Sequence, residues 1–87
     1  NYTLQQNFPN PFNPKTMIKY SIKSSANVSL IIYSLLGYKI KNIDLGYKSP
    51  GQYTINFDAS DLTSGVYFYQ LNINNFKSMP KKMVILR

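Results

Sequence analysis

The chain has 87 residues, room for one small hydrophobic core and no second one. Apolar residues make up 44% and aromatics 15%, too many for a disordered tail. Cys, His and Glu are absent and Asp44, Asp58 and Asp61 are the only acids, which excludes disulfides, thiolate nucleophiles, imidazole bases and Cys- or His-built metal sites. An enzyme is not expected on that inventory, nor is a cofactor. The net charge of +7 favours anionic partners such as phosphate, an acidic protein face or a lipopolysaccharide surface. The alternative is that scattered lysines keep a Tyr-rich β-domain soluble and guard its strand edges.

In chain order, Leu4 to Pro14 comes first. Pro9, Pro11 and Pro14 lack backbone donors and hold their predecessors extended, which predicts a stiff proline-rich lead-in over residues 1–15 with Phe8 and Phe12 as anchors. Period two then begins: Ile18, Tyr20 and Ile22 share one face of a half-buried strand, with Met17, Lys19 and Ser21 on the other. Ser24 to Asn27 makes a turn. Val28, Leu30 and Ile32 alternate with Ser29, Ile31 and Tyr33 in a strand buried on both sides, and Gly37 closes the next connection with positive φ.

Ile40 to Leu45 is a weaker strand, because Ile43 breaks the parity of Ile40 unless a bulge sits near Lys41 and Asn42. Ser49, Pro50 and Gly51 signal a turn. Tyr53, Ile55 and Phe57 alternate cleanly, Asp58 to Ser64 forms a polar loop ending at Gly65, and Tyr67, Tyr69, Leu71 and Ile73 oppose Val66, Phe68, Gln70 and Asn72. Asn74 and Asn75 suit a tight hairpin into a closing strand from Phe76 through Arg87. The expected fold is all-β: a small immunoglobulin-like antiparallel β-sandwich of roughly six to seven strands over residues 16–87, following the lead-in.

No stretch reaches the roughly 18 apolar residues of a membrane helix. The polar, proline-rich start is unlike a signal peptide, so any export signal is expected upstream, or the domain itself is the signal. Asp58 and Asp61, with Ser60, Thr63 and Ser64, offer oxygens for a calcium loop, but with no third acid nearby turn closure is the favoured reading. Tyr67 and Tyr69 share a face opposite Phe68, which favours sheet core over a stacking platform. Tyr33, Tyr38 and Tyr47 lie nearer turns and are the candidates for an exposed carbohydrate-binding patch. Dispersed lysines without a recognition motif argue against nucleic acid.

The run from Tyr2 to Thr16, YTLQQNFPNPFNPKT, followed by Ile18 and Tyr20, resembles the opening of the type IX secretion system C-terminal sorting domain, type A. The likeness continues through Val28 to Tyr33 and Gly37, resumes at Gly51-Gln52-Tyr53, Phe57-Asp58 and Leu62 to Tyr69, and ends on Lys81-Lys82-Met83-Val84-Ile85-Leu86-Arg87. Its motif positions include Pro9, Asn10, Pro11, Phe12, Asn13, Pro14, Ser64, Gly65, Val66 and Tyr67. Departures are small: Phe57 where Trp is frequent, Ala59 where Gly is common, and Ser34 in place of a frequent Asp.

What the resemblance implies is a non-catalytic targeting module. A cargo fused on its N-terminal side crosses the inner membrane by an upstream signal, folds in the periplasm, and is presented to the outer-membrane translocation machinery for the cell surface or medium. In some members a sortase-like peptidase removes the module and joins the cargo to anionic lipopolysaccharide. Lys81 to Arg87 would carry recognition as a terminal strand whose backbone adds to a sheet edge, the cations contributing charge and either Met83 with Ile85 or Val84 with Leu86 filling pockets. A different use of the same fold, self-association or docking through an exposed edge and the lead-in, is the competing expectation, with carbohydrate binding behind it.

Overall fold

A computed structural model describes residues 1–87. It contains eight strands and no helix: β1 (Tyr2–Leu4), β2 (Lys15–Ile22), β3 (Ala26–Ser34), β4 (Lys39–Lys48), β5 (Gly51–Asp58), β6 (Gly65–Ile73), β7 (Phe76–Lys77) and β8 (Lys81–Ile85). A three-stranded sheet, β1-β2-β5, faces a five-stranded sheet in which β4, β3 and β6 are followed by β7 and β8. The chain changes sheet between β2 and β3, between β4 and β5 and again between β5 and β6, the crossings of an immunoglobulin-like sandwich.

Alternation sets the core. Ile18, Tyr20 and Ile22 from β2 and Ile55 and Phe57 from β5 meet Val28, Leu30 and Ile32 from β3, Tyr67, Tyr69 and Leu71 from β6 and Met83 and Ile85 from β8. The corner before β6 is tied by Tyr67, whose hydroxyl donates to the Thr63 carbonyl at 2.8 Å, the tyrosine corner of this architecture. Tyr53 repeats the device at the corner before β5, donating to the Ser49 carbonyl. The Asn74-Asn75 hairpin forms with both residues at positive φ, 47° and 69°, as an asparagine pair allows.

Several details depart from the sequence-based expectation. The strand count is eight, because Tyr2–Leu4 pairs with β2 and the closing strand is broken into β7 and β8. The break is a bulge at Ser78, Met79 and Pro80, where the Ser78 Oγ replaces a ladder acceptor for the Leu71 amide at 3.0 Å. β4 is bulged twice where its register against β3 shifts: at Ile40, beside the expected position, and at Leu45, where no bulge was expected. Each bulge restores inward parity, so Ile43 reaches the core opposite Leu30. The turn before β3 is shorter than expected, since Ala26 and Asn27 are already paired with β4. Phe8 is 75% exposed, so only its backbone is held and its side chain is no anchor, whereas Phe12 is 3% exposed and packs edge-on against Phe57.

Candidate functional site

β8 divides its side chains between two environments. Met83 and Ile85 face the core, 0% and 1% exposed, while Lys82, Val84 and Leu86 point outward. The parity left open by the sequence is thereby assigned: Val84 and Leu86 are the accessible apolar pair, and Met83 with Ile85 is not. Pairing with β6 sets Lys82 opposite Phe68 and Val84 opposite Val66, and β3 adds Tyr33 beside Phe68. A shallow depression of about 500 Å³ lies alongside, lined by Tyr33, Gly37, Phe68, Gln70, Lys77 and Pro80. Its floor is held by a relay in which the Tyr33 hydroxyl donates to Gln70 Oε1 at 2.8 Å and Gln70 Nε2 donates to the Ser78 carbonyl at 2.8 Å. The outcome is an apolar strip bordered by Lys77 and Lys82, suited to a partner with apolar and acidic groups. Phe68 and Tyr33 were not singled out as tail neighbours, and only the strand pairing brings them there.

The backbone edge of β8 is covered. The proline-rich segment returns alongside it as a strap: the Phe12 amide donates to the Val84 carbonyl at 3.1 Å and the Leu86 amide to the Phe12 carbonyl at 3.0 Å. Asn10 Oδ1 accepts from the Val84 amide at 2.9 Å, and Gln6 Nε2 donates to the Lys82 carbonyl. Prolines at 9 and 11 cannot extend a ladder, so side-chain amides stand in for the missing backbone groups. The strap is rooted by Asn7, which is 2% exposed and absent from the sequence-based candidates. Its amide donates to the Tyr69 hydroxyl at 2.8 Å, and its Nδ2 donates to the Pro9 carbonyl at 3.0 Å and to Thr16 Oγ1 at 3.1 Å. Pro14 contributes its carbonyl to the Ala59 amide at 2.9 Å, and Asn13 and Pro11 remain exposed.

Arg87 is turned back onto the β5–β6 loop. Its Nη1 donates to the carbonyls of Ala59, Ser60 and Leu62 at 3.1, 2.7 and 2.8 Å, and its amide donates to Ser64 Oγ at 2.9 Å. The same loop is closed by Asp58, whose Oδ1 accepts from the Ser60 amide at 2.9 Å and from the Ser60 hydroxyl. Those hydrogen bonds from Ser60, with help from Lys15 and Arg87, hold the Asp58 carboxyl below the usual carboxylate range. Asp61 is lowered by its hydrogen bond to Lys41, 2.7 Å away. Both carboxylates are thus engaged in turn closure and ion pairing. Of the tyrosines expected in an exposed patch, Tyr38 and Tyr47 are exposed, but Tyr33 lies within β3 and is partly buried.

Residues 6–86 match the family described as the secretion system C-terminal sorting domain, so the match spans nearly the entire chain, from the strap through the last core residues of β8. The chain belongs to this family. No curated protein and no solved structure matches it. As a sorting domain of type IX secretion it is an export signal whose destination is the cell surface or medium by way of the outer membrane. Residues that carry the resemblance have structural roles here: Asn10 and Phe12 close the β8 edge, Asp58 and Ser64 shape the loop that receives Arg87, and Tyr67 ties the corner.

Proposed function

We propose that this domain is a non-catalytic sorting module that delivers a protein fused on its N-terminal side to the outer-membrane type IX translocation machinery, and that the machinery reads the outward side of β8. The observation that carries the reading is the division of β8 within a family-matched chain: one face completes the core, and the other presents Lys82, Val84 and Leu86 beside Phe68. Strand addition to β8 is disfavoured, because the strap already holds its outer backbone groups. Side-chain recognition on the sheet face is the remaining mode. A sortase-like peptidase and anionic lipopolysaccharide are further partners that the family implies, and the excess of lysine accords with an anionic surface.

A periplasm-directed fluorescent reporter carrying these 87 residues at its C-terminus tests the delivery role. In a bacterium with a working type IX system the reporter is expected on the surface or in the medium, and in a strain lacking the outer-membrane translocon it is expected to stay in the periplasm. A folded reporter retained in both strains would refute the proposal. Deleting Lys81 to Arg87 is an unsuitable control, because it also removes Met83 and Ile85 from the core.

A further inference from the structure

Soluble β-proteins protect the edges of their sheets by short length, charge, bulges, proline or a covering segment. Three of the four edges here follow that rule. β1 has only 3 residues. β4 has two bulges and carries Lys39, Lys41 and Lys48. The β7–β8 edge is broken at Pro80 and covered along β8 by the strap. β5 has none of these protections: its 8 residues pair with β2 in unbroken register, contain neither Lys nor Pro, and carry a single charge, Asp58, at the very end.

The direction of its free groups follows from the strand beside it. Met17 exchanges backbone hydrogen bonds with Phe8 at 2.9 and 3.0 Å, and the Lys19 carbonyl accepts from the Gln5 amide at 2.9 Å, so these residues face the N-terminal side of β2. Thr16, Ile18, Tyr20 and Ile22 therefore bond to their register partners Phe57, Ile55, Tyr53 and Gly51. That leaves the N–H and C=O groups of Gln52, Thr54, Asn56 and Asp58 directed outward along an open edge.

We propose that the outer edge of β5 pairs with β5 of a second copy of this chain about a two-fold axis. Antiparallel pairing with Ile55 opposite Ile55 sets Gln52 opposite Asp58 and Thr54 opposite Asn56. That register uses every outward group on both strands, joins the two three-stranded sheets into one, and places no like charges opposite each other. The fit is self-complementary because the edge is uncharged apart from Asp58, which meets an amide. The net charge of +7 on each copy opposes the encounter, so association strengthens as salt screens that repulsion. One strand edge buries less than a stable dimer interface requires, which makes the pairing weak and concentration-dependent. It does not involve the outward face of β8, and so stands or falls apart from the export role.

Sedimentation velocity and amide NMR of the chain test it. Between about 20 µM and about 1 mM in about 0.5 M NaCl, a concentration range suited to a weak interface, the monomer is expected to give way to dimer, with shifts centred on Gln52 to Asp58 and a several-fold loss of affinity in low salt. Thr54→Pro removes an N–H that has no partner in the monomer, and Asn56→Lys places a charge on the exposed side of the edge; each is expected to abolish the dimer. Should Thr54→Pro fail to fold, Asn56→Lys with an unchanged melting temperature carries the test. A monomer throughout, a dimer whose shifts map elsewhere, or a dimer undiminished in the folded variants would overturn the proposal.

Discussion

The Tyr69 hydroxyl ties the start of the chain to β6. It donates to the Gln5 carbonyl at 2.7 Å and accepts from the Asn7 amide at 2.8 Å, with the residue 0% exposed. Burial pushes its phenol up to about 12. The unfolded chain releases this proton near the ordinary tyrosine value of about 10, whereas the folded chain retains it, so the associated stability is full below about pH 10 and is lost as pH rises towards 12. At one pKa unit per 1.36 kcal/mol the loss amounts to roughly 3 kcal/mol. Urea titrations between pH 9 and 12 are expected to show that decline, and Tyr69→Phe, less stable at neutral pH for want of its two hydrogen bonds, is expected to show a shallower one. Burial, then the neighbouring Tyr53, raises Tyr20 in the same direction, so a residual slope remains in that variant. Arg87 carries a different lesson. A terminal cation in a basic tail reads as a recognition charge, yet three loop carbonyls surround its Nη1. Nothing in the local sequence signals carbonyls that lie more than twenty positions away.

At the level of the element, alternation made β2, β5 and β6 legible, because each has one face in the core and a cross-strand partner in simple register. β4 was less legible, since a bulge is decided by the partner strand and leaves only a parity break in its own residues. The proline-rich segment was legible as extended, but its hydrogen-bonding partners sit at the opposite end of the chain. Two aromatic residues four apart in that segment consequently look alike and behave differently. Phe12→Ala is expected to cost roughly 3–5 kcal/mol, the usual range for emptying a buried aromatic site, and to loosen the β8 edge. Phe8→Ala is expected to stay within about 0.5 kcal/mol, as for an exposed position. Thermal or urea unfolding of the two variants checks the contrast.

For the whole molecule, the two flanks of the sandwich differ. On one flank β1 and the strap close the space up to β8, and on the other β4 and β5 end their sheets without a covering segment. The closed flank fixes the last strand from both sides: β6 holds its inner backbone edge and the strap its outer one. What remains for a partner to read on β8 is its outward row of side chains. The class of fold and the family were legible from strand spacing and from motifs distributed along the chain, while the face of β8 that is exposed depended on pairing that residue order alone does not determine.

That outward row is the central claim, and one measurement addresses it most directly. The reporter fusion is compared with a version carrying Lys82→Glu, Val84→Thr and Leu86→Ser, which alters the exposed row and leaves Met83 and Ile85 in the core. Export is expected to fall by about tenfold or more, the effect of losing a small hot spot, while the thermal midpoint of the domain stays within a few degrees of the original. Export at the original level by a folded triple variant would contradict recognition through this face.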